Sequence, residues 1–259
     1  MKETLLYVAL LFLLDKALLR PSSIENKIKR IKLKKMEEKI VISLGGSLVF
    51  PKKDKIDVSF LKKFKKIILW LLRKKKKIAL VVGGGKIARF YQKILFHFDK
   101  NKNNADKIGI ILTRANAFLV KSLFQKKAEF LNWEDKIFFK KKIIVLGGKK
   151  PGFSTDYCTV LLAKKLKVKE IINLSNVDFI YNKDPKKFKD AKPIKEAKWK
   201  EIEKIFKKEW KPGLSLPFDP KAFQLAKKEK MTLYFLNGKK LKNLKNFFEE
   251  KKFKGTKIF

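Results

Sequence analysis

From residue 38 onward the chain alternates short apolar runs with longer stretches whose apolar positions recur every three or four residues. The runs at 40–44, 78–82, 143–146, 170–174 and 232–236 carry apolar residues at both odd and even positions, which predicts strands buried on both faces. Residues 58–72 have apolar side chains at 60, 61, 64, 68, 71 and 72, a helical stripe, and lead into a basic run that suits the negative end of a helix. Residues 87–98 and 108–124 repeat that period, and 199–210 predicts a shorter amphipathic helix. Asp219 followed by Pro220 predicts a helix start, with the carboxylate at the N-cap and proline in the first turn. Strands alternating with helices predict an α/β fold on a mainly parallel sheet. No internal repeat and no Pro/Gly/Ser-rich linker divides residues 36–259, which read as a single domain.

The first 35 residues read differently. Residues 5–14 form an apolar run of ten, ended by Asp15 and Lys16, well short of the roughly 20 that a membrane helix needs. No small-x-small cleavage site follows it. Residues 21–35 are polar and basic, and Met36 stands just before the first strand. Residues 1–35 therefore read as an upstream extension, with a weak amphipathic membrane anchor as the alternative.

Composition narrows the function. The 259 residues hold 66 Lys+Arg against 25 Asp+Glu, a formal net charge of +41. A hydrophobic share of 45% with 23 Phe supplies a core large enough to offset that charge, so disorder throughout is excluded. A single cysteine, Cys158, excludes a disulfide-stapled secreted fold and favours a reducing compartment. A single histidine, His97, removes His-rich metal chemistry. High positive charge draws phosphates, and nucleic acid is the first partner it suggests. Arginine, however, occurs only at positions 20, 30, 73, 89 and 114, leaving 61 lysines scattered through every segment. Nucleic-acid readers rely on arginine forks gathered on one face, so no dedicated nucleic-acid function is read here.

Glycine is more informative. Of 12 glycines, Gly45-Gly46, Gly83-Gly84-Gly85 and Gly147-Gly148 with Gly152 each follow a predicted strand. In an open α/β sheet the carboxyl ends of the strands form the ligand crevice, where glycine lets the backbone approach an anion. A helix starting at Gly85 aims amides at a phosphate. Three such loops on one edge imply more than one phosphate, as phosphoryl transfer requires. The stretch 83–88 (GGGKIA) also fits G-x-G-x-x-A, but it follows the second strand and lacks the acid expected about 20 residues on. No G-x-x-x-x-G-K-[ST] motif occurs, which argues against an ordinary P-loop ATPase.

Taken together, ISLGGSLVFP (42–51), VVGGGKIARFY (81–91), DKIGIILTRANAFL (106–119), VLGGKKPGFSTD (145–156), LSNVDFIYNKDPKK (174–187), PGLSLPFDPKA (212–222) and GTKI (255–258) resemble the amino-acid kinase superfamily, most closely its archaeal-type uridylate kinases. The resemblance implies a three-layer αβα sandwich, transfer of the ATP γ-phosphate to UMP with Mg2+, and a cytoplasmic homohexamer serving pyrimidine (CTP) biosynthesis. It also implies an acceptor half over about 36–165 and an ATP half over about 166–259. Carried over by position, Gly46 and Ser47 meet ATP, Gly84 faces UMP, and Gly85 and Arg89 meet the transferring phosphates. Asp106 accepts from the UMP ribose, and Lys149, Lys150, Pro151, Gly152, Phe153, Ser154 and Thr155 wrap the UMP base and phosphate. Ser175, Tyr181 and Asp184 hold the ATP base and ribose. No protein metal ligands are implied.

Simpler roles compete. Asp106 could cap a helix beginning at Lys107, Asp184 could start a turn, and Ser154, Thr155 and Asp156 could cap the helix carrying Cys158. Arg114 could serve a subunit contact or the acceptor site. Two departures from the family pattern bear on mechanism. The first strand has no lysine at 41–43, which makes Lys86 and Arg89 the candidate cations on the moving phosphoryl group, with Asp178 orienting a cation. The family's usual small residue after that aspartate is Phe179 here, which narrows the ATP site or alters base preference. The histidine-containing glycine loop of isopentenyl phosphate kinases is absent at 82–86.

Overall fold

The apolar runs do form strands, and their order sets the molecule. The computed structural model describes residues 38–259 except 184, 186, 187 and 207–217. The extension at 1–35 with its apolar run, Asp184, and the last part of the helix predicted at 199–210 lie outside the described residues. The strands are β1 (Lys39–Leu44), β2 (Lys77–Val82), β3 (Ala128–Phe130), β4 (Ile143–Leu146), β5 (Glu170–Ser175), β6 (Ile180–Tyr181), β7 (Pro193–Ile194), β8 (Glu196–Ala197), β9 (Thr232–Asn237) and β10 (Gly255–Ile258). The helices are α1 (Gly46–Val49), α2 (Val58–Arg73), α3 (Gly85–Phe98), α4 (Lys102–Ser122), α5 (Thr155–Leu166), α6 (Pro220–Lys228) and α7 (Leu241–Phe248).

Eight strands form one sheet in the order β3-β4-β2-β1-β5-β9-β10-β8, parallel except where β10 meets β9; β6 and β7 pair separately. Alternation along β1 explains the layers. Val41 points into a core shared with Cys158, Val160, Leu162 and Ala163 of α5 and Phe223 of α6. Ile40, Ile42 and Leu44 point the other way, to Phe60, Phe64 and Ile68 of α2, Val120 of α4 and Leu244 of α7. Helices on both faces make the three-layer αβα sandwich, and fully burying each of these large side chains contributes about 1.5–3 kcal/mol. From β1 the chain builds outward through β2 and β4, then returns to the opposite side of β1 with β5 and β9. That reversal opens a crevice at the carboxyl ends of β1 and its neighbours.

Two helices depart from the sequence reading. Helix α4 begins at Lys102, six residues earlier than its apolar period, because Asn101 caps it by accepting the Asn103 amide. The predicted helix at 199–210 is not α-helical over its described part. Trp199 is held to the end of β10 by its amide on the Phe259 carbonyl and by its indole on Met231, and i→i−3 bonds then make a tight 3-10 turn at Glu203–Phe206. Asp219 does cap α6, accepting the Ala222 amide at 2.8 Å with Pro220 in the first turn. Among the described residues no helix is long and apolar enough to cross a membrane.

Candidate active site at the carboxyl edge of the sheet

The first two glycine loops touch because their strands pair along their whole length, up to Leu44 against Val82. The Gly83 amide donates to the Leu44 carbonyl, and the Gly45 amide donates to Leu174 of β5. A Cβ built on Gly46 would lie 2.1 Å from the Gly85 nitrogen, and one on Gly83 would lie 2.6 Å from the Gly46 nitrogen. Gly85 has φ of +71°, a conformation L side chains rarely adopt. From behind, Asn116 of α4 donates to the Gly83 and Gly84 carbonyls, both at 3.0 Å. The loop carbonyls are thus fixed from the helix side, while the first amides of α3 have no intrahelical acceptor, the Lys86 amide donating instead to the Phe50 carbonyl. Arg89, one turn into α3, and Lys86 are exposed beside them, and Arg89 has no carboxylate partner among the described residues.

The third loop is held by α4 at three places. Thr113 Oγ1 accepts the Gly148 amide at 2.7 Å while donating to the Ile110 carbonyl. Arg114 donates from Nε to the Gly148 carbonyl at 3.2 Å and from Nη2 to the Lys149 carbonyl at 3.1 Å. Asp106 Oδ2 accepts the Gly152 amide at 2.8 Å. Asp106 lies in the second turn of α4, so its reading as an N-cap does not hold. Arg114 thus grips the backbone of the loop read as the UMP cradle. Beyond Gly148, Lys149 lies over the Trp133 ring, Lys150 over Phe153, and Phe153 packs edge-on against Tyr157. Ser154 caps α5 by accepting the Tyr157 amide, and Thr155 opens that helix. Thr113, Asn116 and Trp133 were not singled out from the sequence; the TRANA motif was the signal pointing to the first two.

Across β1, Ser175 ends β5 opposite Asn237 and accepts the Gly238 amide. Asp178 accepts from Asn237 Nδ2 at 2.9 Å and from Lys240 Nζ at 2.7 Å. The Lys240 hydrogen bond holds its carboxyl below the usual range. The cation beside Asp178 is therefore Lys240, which the sequence did not mark, while Lys86 and Arg89 sit on the loops across β1. Tyr181, in β6, is half-buried with its ring edge-on to Phe179.

Beneath the loops lies an acid pair, Asp219 buried and Asp156 half-buried. Ser43 and Asn173 face each other across β1 and β5 and both donate to Asp156 Oδ1, at 3.1 and 2.8 Å. The Asp219 amide donates to Asp156 as well, and the Ser154 hydroxyl donates to the Asp219 carboxylate. Burial, then the neighbouring Asp219, pushes the Asp156 carboxyl from its ordinary 3.8 up to about 7; burial raises Asp219 too. The two acids titrate as a pair. A raised carboxyl binds its proton more tightly in the folded chain, so the stabilisation is fully present below the unfolded value of 3.8 and is lost as pH climbs through about 7. Asp156→Asn keeps the shape without titrating. Its melting temperature relative to the unsubstituted chain is expected to rise by about 5 °C or more between about pH 5 and about pH 8. A difference that stays flat or shrinks over that range overturns the assignment.

The Cys158 thiol, also buried, is pushed up to about 12 and is inert. Among the described residues no three His, Cys, Asp or Glu side chains cluster as a metal cage. The edge as a whole can seat phosphates on backbone amides, supply two exposed cations, and hold one loop against α4.

Both the sequence and the overall fold have counterparts among known proteins. The sequence model of the amino acid kinase family matches residues 38–237. A uridylate kinase of Methanobrevibacter smithii is 37% identical over 216 residues, covering 80% of this chain and 92% of that protein. A uridylate kinase of Thermoplasma volcanium is 34% identical over 221 residues, covering 83% and 95%. The crystal structure of uridylate kinase from Archaeoglobus fulgidus superposes with a TM-score of 0.70 at 28% identity, covering 85% of this chain and 99% of that one.

Proposed function

The chain belongs to the amino acid kinase family, and from that premise we propose that it is a uridylate kinase, transferring the terminal phosphoryl group of ATP to UMP to give UDP for pyrimidine nucleotide, including CTP, synthesis. The observation that carries this reading is that the first two glycine loops touch at the carboxyl edge and the third is tied to α4 beside them, with Lys86 and Arg89 exposed on the first turns of α3. Phosphoryl transfer asks a protein mainly to align two phosphates and to spread developing charge over fixed dipoles and cations. In this reading Gly46, Ser47 and Gly85 receive the ATP phosphates on backbone amides, and the Arg89 fork follows the phosphoryl group as it moves. Gly84 and residues 149–155 hold UMP. Asp106 spends Oδ2 on Gly152, which leaves its second oxygen to accept from the ribose. Ser175 and Tyr181, with Asp184, take the adenine nucleoside.

Magnesium would be held chiefly by the ATP phosphates, where it would supply further charge neutralisation. The protein is expected to be cytoplasmic and to assemble with copies of itself, a hexamer by family resemblance. Phe98, Ile111 and Phe118 on α3 and α4 are 86%, 60% and 57% exposed, an apolar face that a second copy would cover. Light scattering reads the assembly directly, and a monomer at working concentration overturns it.

The test of activity offers the full chain ATP, magnesium and a panel of acceptors: UMP, CMP, AMP, isopentenyl phosphate and N-acetylglutamate. ADP is expected with UMP alone. Turnover of a different acceptor, or ATP binding without turnover of any, refutes the proposal.

A further inference from the structure

We propose that the amino-terminal edge of the sheet, opposite the crevice, binds single-stranded nucleic acid, with a cup of lysines taking phosphates and Phe138 stacking a base. Along the sequence the lysines look scattered. The parallel sheet gathers some of them, because residues that open adjacent parallel strands end up side by side. Ile78 of β2 pairs with Ile143 of β4, and Ala128 of β3 pairs with Ile143 from the other side. Lys77, the pair Lys126 and Lys127, and the run 140–142 therefore converge from three separate segments. With Phe139 they line a cleft of about 320 Å³, and none of these lining residues is acidic.

A second cleft of about 280 Å³ adjoins it, sharing Lys140. Its aromatic wall is Phe138, an exposed ring with the Lys136 and Lys140 ammonium groups 6.0 and 5.5 Å from its centre. Two acids line this cleft. Asp135 is committed to the Asn132 amide, whereas Glu129 Oε2 is buried with no hydrogen-bond partner. Lysines for phosphates and an open ring for stacking are the parts of a single-strand site. The lysine cup lies at the opposite end of β2 from the crevice, about 17 Å along its six residues at about 3.3 Å per step, while the second cleft runs along the outer edge of β3 as far as Leu131.

The experiment uses the full chain and a fluorescent oligoadenylate of about 12 nucleotides, with anisotropy read at about 0.15 M salt. Because a net charge of +41 attracts any polyanion, the comparison is between two variants of equal charge change. Lys126→Glu with Lys127→Glu and Lys141→Glu is expected to weaken binding at least tenfold. Lys62→Glu with Lys63→Glu and Lys66→Glu, on the outer face of α2, is expected to change it less than threefold. Phe138→Ala is expected to weaken it at least fivefold, with the melting temperature of each variant confirming that it folds. Equal loss from the two triple variants overturns the site in favour of diffuse attraction. Unchanged affinity in Phe138→Ala, with inorganic polyphosphate competing as well as RNA, overturns the nucleic-acid assignment and leaves a general polyanion surface.

Discussion

Replacing Arg89 by alanine is expected to lower kcat/KM for UMP phosphorylation by about 10²- to 10³-fold, the range seen when one preorganised donor to a transition-state charge is removed. The guanidinium is exposed, one turn into the helix that Gly85 opens, and is bound to no carboxylate among the described residues, so its removal leaves the core untouched. The melting temperature is therefore expected to stay within about 2 °C. Arg73→Ala is the comparator. Arg73 ends α2 just before β2 starts, at the opposite edge of the sheet, and its loss is expected to change kcat/KM less than about twofold. Because the first strand has no lysine at 41–43, Arg89 and Lys86 are expected to carry the charge work near the glycine loops. Lys86→Ala is expected to fall between the other two. Equal effects at Arg89 and Arg73 would remove the phosphate clamp from the mechanism.

Gly46→Ala is expected to be still more damaging, with a loss of at least about 10³-fold. The added methyl would occupy the space of the Gly85 nitrogen, at 2.1 Å, and would crowd the Gly83 carbonyl carbon and oxygen at 2.5 and 2.6 Å. These neighbours are backbone, not flexible side-chain tips. Gly83 is anchored by its amide to Leu44 and by its carbonyl to Asn116, so it cannot simply withdraw. The two loops must separate, and a displacement of about 1 Å between donor and acceptor phosphates already costs about 10²-fold in rate. Overpacking is also expected to cost about 1–3 kcal/mol of stability, so circular dichroism must accompany the kinetics. Gly152→Ala provides the contrast. Gly152 has φ of +77° but nothing within 4 Å of a built Cβ, so only backbone strain of about 1–2 kcal/mol opposes it. If Gly46→Ala retains more than one tenth of the activity, the loops are not the rigid junction described.

Much of this was legible along the chain because it is local. Strand limits followed from runs that fill both faces, and α6 followed from Asp219 and Pro220, a cap and a first-turn proline adjacent in sequence. The glycine clusters announced the crevice because each lies directly after a strand. Short strands such as β3, β6, β7 and β8 escaped notice, since two or three residues carry no period. The stretch after Trp199 misled because its apolar spacing suits a helix, while its amide and indole are committed to partners 60 and 32 residues away.

What the sequence alone determined is the list of parts: an α/β chain, loops able to meet phosphates, and an arginine placed at a helix start. Tertiary structure decided which parts meet. Strand order put Ser43 beside Asn173 over Asp156, gave Asp178 to Lys240 rather than to the cations on the loops, and laid the 147–152 loop along Thr113, Arg114 and Asp106. It also turned part of a dispersed charge into a lysine cup at one edge. The physical reason is range. Periodicity, capping and turn chemistry act over a few residues and are written where they act, whereas these meetings join positions tens to more than a hundred residues apart. Only the pairing of whole strands, driven by burial of both faces of the sheet, brings them within hydrogen-bond reach.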